Sequence, residues 1–480
     1  MSQNFDVQWC RRQFPALATE VAGQPAVFFD GPAGSQVPRP VIDAVAEYYT
    51  RCNANHGGLF QTSRQSDAIL LAARQALADF LGTADPDTVA FGPNMTSLTF
   101  ALSRSLAKTW RSGDEVLVTR LEHDANFTPW MLAARDAGAT VRCVDIRAED
   151  CTLDMDDFER KLSDRTRLVA VAGVSNAVGT VNPIEEIIVA AHAHGALAFV
   201  DAVHHAPHAR IHVDRWGCDF LACSAYKFFG PHVGVLWGRR ELLESLTPYK
   251  VRPAPDTIPD RWMTGTQNHE GIAGTLAAIE YLADLGRMVA GTPLSDRHEL
   301  LDAAYRWITG YERELASELI GGLEEIPGVK VWGITDRSRF EHRVPTVAIT
   351  HRGIGAHELA EYLGQRGIFV WSGNFYAQPL TEALGLEPGG LVRIGLLHYN
   401  THEEVQRLLS LLLDVDRRQR LVDGRQGRPR NMGDHHACHA HRYSASLPRY
   451  AWGLWSGRLR HKKNARTLRS AASTAVFLTS

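Results

Sequence analysis

SAYKFFGPHVGVLWGR, residues 224–239, holds a lysine, Lys227, between an apolar run and a Gly-Pro pair. The run before it, DFLACSA (219–225), has the length and composition of a strand buried on both faces. Lys227 therefore falls just past a strand end. Working outward, ALAFVDAV (196–203), TRLVAVAGV (166–174), ATVRCVDI (139–146) and DEVLVTR (114–120) are further strands. Between them lie helical patterns, FTPWMLAARDAG (127–138) and EEIIVAAHAHG (185–195), the latter closed by glycine. Strand and helix in alternation predict a mostly parallel sheet covered on both faces, with ligands beyond the carboxyl ends of the strands.

Beyond about residue 286 the pattern changes. A long helical stretch (294–326) leads into strands VKVWGI and RVPTVAIT, helix HELAEYLGQRG, strands IFVWSG and LVRIGLLHYN, and a last helix, THEEVQRLLSLLLDVDRR. The expected organisation is an N-terminal segment (1–25) packing on the small domain, a large domain (26–285), a smaller α+β domain (286–416) and a disordered tail (417–480).

A lone lysine after a strand is usually a solvated loop residue, but its neighbours here are unusual. Asp201 ends a strand after four apolar residues. An aldehyde cofactor such as pyridoxal 5'-phosphate (PLP) needs an amine to form an imine and an acid beside its ring nitrogen. NMTSLTFALSRSLAKTW (94–110) begins an apolar helix with hydroxyl-rich residues, as phosphate sites do. His123 follows the strand DEVLVT and is suited to stack on a flat ring.

DAVHH (201–205), SAYKFFGPHVG (224–234) and SNAVGT (175–180) together resemble the class V aminotransferase family of fold type I PLP enzymes, and within it the cysteine desulfurase-like proteins. The similarity runs from FFDGPAGSQVP (28–38) to LLHYNTHEEV (396–405). It implies a large domain with a mostly parallel seven-stranded sheet and a smaller C-terminal α+β domain. It implies that Lys227 holds PLP as a Schiff base, Asp201 meets the pyridine nitrogen and His123 stacks on the ring. Met95, Thr96 and Ser224 would hold the phosphate, and Asn176 would lie near the phenolic oxygen and the substrate. Thr266 would reach the phosphate of a second subunit, which implies a homodimer with shared sites. Arg393 would grip the substrate carboxylate, a task suited to a planar guanidinium.

Four positions depart from the family pattern. His204 stands where a glutamine usually faces the phenolic oxygen, Tyr226 stands where desulfurases have a histidine, and Met95 replaces a threonine. In VWSGNFYAQPL (370–380), Tyr376 stands where desulfurases carry the cysteine that attacks sulfur, and no cysteine lies between Cys223 and Cys438. A phenol cannot form a persulfide, so the reaction expected first is lyase chemistry, a β-elimination at C–S or C–Se. Transamination, epimerisation or racemisation and decarboxylation are the alternatives within the family. Tyr376 is either a general acid or a packing residue.

Composition limits the other classes. The 480 residues carry a net charge of −3 and seven cysteines without a CxxC pair, which fits reduced thiols in the cytoplasm. No apolar run is long enough to span a membrane. Residues 417–480 hold 14 basic and 2 acidic side chains, so the body is acidic and the tail basic. A PLP-holding binding or regulatory protein with a polyanion-binding tail is the alternative of another class. The complete Lys227, Asp201, His123 and Arg393 set weighs against it, and nucleic acid is not the expected partner. HHACHAH (435–441) lacks metal-site spacing, and no metal is expected.

Overall fold

The computed structural model describes residues 6–425. Seven strands form the main sheet: β1 (Val89–Gly92), β2 (Glu115–Thr119), β3 (Thr140–Val144), β4 (Thr166–Ala172), β5 (Leu197–Asp201), β6 (Phe220–Ser224) and β7 (Gly234–Gly238). Their order is β1-β7-β6-β5-β4-β2-β3. Only β7 runs against its neighbours, pairing antiparallel with both β6 and β1. The sheet is therefore α/β and mostly parallel, as expected.

The continuous apolar runs have a simple cause. Alternate residues face opposite sides of a strand, and here both sides are covered. Val169, Val171, Ala198, Val200, Leu221 and Cys223 enter one core, while Leu168, Ala170, Phe199, Phe220 and Ala222 enter the other. The helices named below include α1 (Arg39–Arg51), α2 (Gln61–Leu81), α3 (Met95–Leu106), α4 (Thr128–Ala137), α5 (Ile184–Ala193) and α6 (His269–Val289).

Helix α7 (Arg297–Glu324) leads to a second, four-stranded sheet. Its strands are β8 (Val329–Trp332), β9 (Thr346–His351), β10 (Trp371–Gly373) and β11 (Leu391–Gly395), in the order β8-β9-β11-β10. Val347, Ile349, Val392 and Ile394 pack against Leu315, Leu319 and Leu323 of α7 and Leu408 and Leu412 of α8 (His402–Arg425). IFVWSG, expected as one strand, is broken. Ile368–Phe369 pairs with Val27–Phe28, whereas Trp371–Gly373 joins β11. The break turns the following loop, 374–376, toward the large sheet.

Two further differences concern the ends. Helix α8 continues through Arg425, past the expected edge at 416, with no proline to stop it before Pro429. The rest of the expected tail, with Cys438 and HHACHAH, lies outside the described residues. The helix Val7–Gln13 is tied by Arg11 to Glu404 at 2.8 Å and to the Tyr399 carbonyl. Phe14 just after it packs on Phe229 and Tyr281 as well as Tyr399, so this segment meets residues of both sheet regions.

Candidate active site

The carboxyl ends of β1, β2, β4, β5 and β6 converge on a cavity of 480 Å³. Its lining includes Lys227, Asp201, His123, His204, Asn176, Met95, Thr96, Ser224, Arg393 and Tyr376. These are ten of the eleven residues expected at the site. The eleventh, Thr266, is exposed on a loop and lines a separate cavity with His56, Arg74 and His269.

Strand β6 passes directly into a 3-10 turn, Ala225–Lys227, which aims the lysine inward. Its Nζ donates to the Pro32 carbonyl and lies 4.8 Å from the Tyr226 ring centroid. Burial and the nearby Arg393 guanidinium pull the Lys227 amine down to about 7, with Asp201 opposing. At neutral pH a large fraction of it is therefore an unprotonated nucleophile. Asp201 accepts the Val203 amide at 2.9 Å, and burial pushes its carboxyl up to about 6. A cationic ring nitrogen placed there would restore the carboxylate.

His123 caps a short turn by accepting the Ala125 amide on Nδ1 at 3.0 Å. Burial, with Lys227 and Arg393 adding to it, lowers its imidazole to about 4, so the ring is neutral with its proton on Nε2. The sequence reading missed the residue that anchors this turn. Glu122, fully buried, receives hydrogen bonds from Thr119, Asn126 and the Ala172 amide. A glutamate next to the histidine was the visible signal. Burial drives its carboxyl up to about 8.

Helix α3 begins at the cavity. Asn94 caps it by accepting the Ser97 amide, while the Met95 amide donates to Ser224 Oγ at 2.9 Å. The Thr96 amide and hydroxyl remain as first-turn donors. Gly234 of β7 lies under this turn, and a Cβ there would stand 2.5 Å from the Asn94 carbonyl carbon. Gly234→Ala is expected to displace the helix start and weaken binding of a phosphate-bearing cofactor at least about tenfold. Equilibrium dialysis of PLP against wild type and variant measures it.

Arg393 on β11 reaches the cavity from the small sheet. Its Nη1 donates to the Asn176 carbonyl at 2.8 Å, its guanidinium lies 4.2 Å from the Phe375 ring centroid, and its Nε has no partner. Among the described residues no carboxylate forms an ion pair with it, although Asp30 lies close enough to act on it. A buried cation lacking a salt bridge is costly and marks a place where a ligand carboxylate would sit.

The loop after β10 closes the top. Asn176 Nδ2 donates to the Phe375 carbonyl, and the Asp124 amide donates to that of Tyr376. Both Phe375 (φ 57°) and Tyr376 (φ 59°) are left-handed, a conformation that costs a non-glycine residue on the order of 1–3 kcal/mol. The Tyr376 ring stacks on His123 at 5.4 Å and stays 70% exposed.

The residues fit PLP. An amine of depressed basicity, a deep carboxyl group and first-turn helix donors surround one cavity. Three buried polar atoms there, Asn176 Oδ1, His204 Nδ1 and Arg393 Nε, lack partners. Elsewhere, His212, His298 and Asp302 come within metal-ligand reach of one another, but Asp302 is held by the Arg210 guanidinium at 2.8 Å.

The family model described as aminotransferase class-V matches residues 27–408. A cysteine desulfurase from Synechococcus elongatus is 32% identical over 422 residues, covering 85% of this chain and 63% of that protein. One from Pectobacterium atrosepticum is 31% identical over 429 residues, covering 86% of this chain and 99% of that protein. The apo structure of a cysteine desulfurase from Thermococcus onnurineus superposes with a TM-score of 0.77 at 27% identity. It covers 87% of this chain and 100% of that one. With the strand ends, the lysine turn and the family model in agreement, this chain belongs to the class V aminotransferase family and is a PLP-dependent enzyme.

Proposed function

We propose that this enzyme eliminates a sulfur or selenium substituent from Cβ of an amino acid without passing it to a protein thiol. One observation carries the reading. The strained loop holds Tyr376 over His123, and no cysteine among the described residues lines the cavity. Two of them, Cys218 and Cys223, are fully buried, and their thiols are raised far above the usual range by burial.

Bound PLP supplies an electron sink for charge at the substrate Cα. The chain does the rest. Arg393 takes the α-carboxylate and fixes which Cα bond faces the ring. Lys227, basic near neutral pH, removes the Cα proton. Asp201 would balance positive charge at the ring nitrogen, and His123 would cover the ring. Tyr376, whose hydroxyl makes no hydrogen bond among the described residues, is the acid assigned to the departing sulfur. The enzyme is read as a homodimer with shared sites, a reading supported by the exposed Thr266 loop. The six cysteines among the described residues, all unpaired, support a cytoplasmic setting.

The test is product analysis of the PLP-loaded full chain with cysteine, selenocysteine and S-substituted cysteines. Elimination gives sulfide from cysteine, selenide from selenocysteine or the thiol from an S-substituted cysteine, with pyruvate and ammonia in equal amounts, and Tyr376→Phe slows it about 100-fold. Alanine as co-product would sink the proposal. Conversion of the cofactor to its aminated form would make the enzyme a transaminase. No turnover, with polyanion binding lost on deleting 417–480, would favour the binding-protein alternative.

A further inference from the structure

Behind the cavity lies a line of buried ionisable side chains that the mechanism above does not use. His204, which lines the cavity, is tied through Nε2 to Thr346 Oγ1 of β9 at 2.8 Å. Its ring meets the edge of His208 at 5.1 Å and 76°. His208 Nδ1 lies 2.7 Å from Glu312 Oε2 on α7. All three side chains are at least 97% buried. His204 and His208 come from the loop after β5, whereas Thr346 and Glu312 come from the region of the second sheet.

Helix α7 grips this loop along one face. Tyr305, Thr309 and Glu312 follow at helical spacing. The Tyr305 hydroxyl donates to the Ala206 carbonyl and the Thr309 hydroxyl to the His208 carbonyl, both on the main chain. Glu312 alone addresses an imidazole. Unlike these two neutral tethers, the buried carboxyl group is costly to desolvate.

Neither His208 Nε2 nor Glu312 Oε1 has a hydrogen-bond partner among the described residues. A doubly protonated ring would bury an Nε2–H with nothing to receive it, whereas a neutral ring leaves only a lone pair. With its proton on Nδ1 the ring donates to Glu312, and an ionised Glu312 then gives the pair one negative charge. Burial raises the Glu312 carboxyl, and the contact with His208 opposes this. Facing the group are Lys227, Arg393 and His205 around His204, and His398, Tyr305 and Tyr399 around Glu312. The two cations are both on the cavity side.

We propose that Glu312 and His208 are positioning residues that present a buried negative charge behind His204 and so set the proton affinity of the cofactor bound at Lys227. The proposal rests on His204 being a cofactor contact. That premise is checked separately, because His204→Gln in an otherwise unchanged chain must alter the absorbance of bound PLP.

The experiment is a pH titration of the absorbance band of Lys227-bound PLP in the holoenzyme. Removing a nearby negative charge disfavours the protonated form of the chromophore. Glu312→Gln, which keeps the shape, therefore lowers the midpoint by about one pH unit. Thr309→Val removes a tether from the same helix face to the same loop and leaves the midpoint unchanged. In the His204→Gln background, Glu312→Gln shifts the midpoint by less than half as much, because the contact through which it acts is gone. An unmoved midpoint in Glu312→Gln overturns the proposal. So does an equal shift in Thr309→Val, since the effect would then be mechanical. If Glu312→Gln fails to fold, Glu312→Asp decides. A retained charge at reduced reach is expected to keep the midpoint near wild type, and a full one-unit fall refutes the charge.

Discussion

Lys227→Ala removes the absorbance band of bound PLP and lowers turnover by ~10³-fold or more, the scale of losing both the attachment point and the proton carrier. The cofactor-free variant is also expected to be more stable than cofactor-free wild type. The sign follows from the depressed amine. Lys227 falls from its ordinary 10.5 to about 7 in the folded chain. Below about pH 7 both folded and unfolded chains hold the proton, and the full cost of burying the cation opposes folding. Between about 7 and 10.5 the folded chain sheds it first, and the cost fades as pH rises. The stability gained by Lys227→Ala is thus largest, on the order of a few kcal/mol less the cavity cost, at pH 6–7 and shrinks toward pH 10. Thermal melts of the two cofactor-free proteins across that range measure it. Equal melting curves at pH 6 would mean that the amine is solvated and not poised for attack.

Much of this site is legible along the chain because it is built at strand ends. An apolar run that stops at Asp201 or at Ser224 announces both the strand and the place where a functional side chain emerges. Helix α3 is equally plain, since Asn94 and Thr96 precede an apolar period. What sequence periodicity does not carry is contact between distant segments. Glu122 sits beside His123 in sequence, yet its role appears only when β4 delivers the Ala172 amide to it. The broken strand at 368–373 is hidden because Ile-Phe-Val-Trp reads as one β run, while its halves are claimed by different partners. The antiparallel β7 is masked by the loop motif in which it lies. Glu312 gives no signal at all: in a long amphipathic helix it looks like one more solvated acid, and only the loop after β5 reveals that it is buried.

Arg393→Met is expected to separate catalysis from stability. With its Nε unpartnered and no salt bridge among the described residues, the guanidinium is held in the cavity by the Asn176 carbonyl and the Phe375 ring alone. Burial lowers it from its ordinary value to about 9, with Asp30 opposing, so at neutral pH it is a charged and poorly solvated group. The penalty is present in full below about pH 9. Methionine fills much of the same volume without a charge, and the cofactor-free protein should gain about 1–3 kcal/mol despite losing one hydrogen bond and one ring contact. Turnover should move the other way. A charge-assisted pair with a substrate carboxylate in a dry site contributes roughly 3–4 kcal/mol, so kcat/KM for amino acids falls about 100- to 1,000-fold. The two effects share one cause. The energy withheld from the folded chain by an uncompensated cation is released when a carboxylate arrives, and it is released only to ligands that carry one. The corresponding amines, which lack the carboxylate, should therefore react equally slowly with wild type and variant. Should Arg393→Met instead lower stability and leave kcat/KM for amino acids intact, the guanidinium would be a structural strut between β11 and the Asn176 turn, and the substrate carboxylate would have to be bound elsewhere.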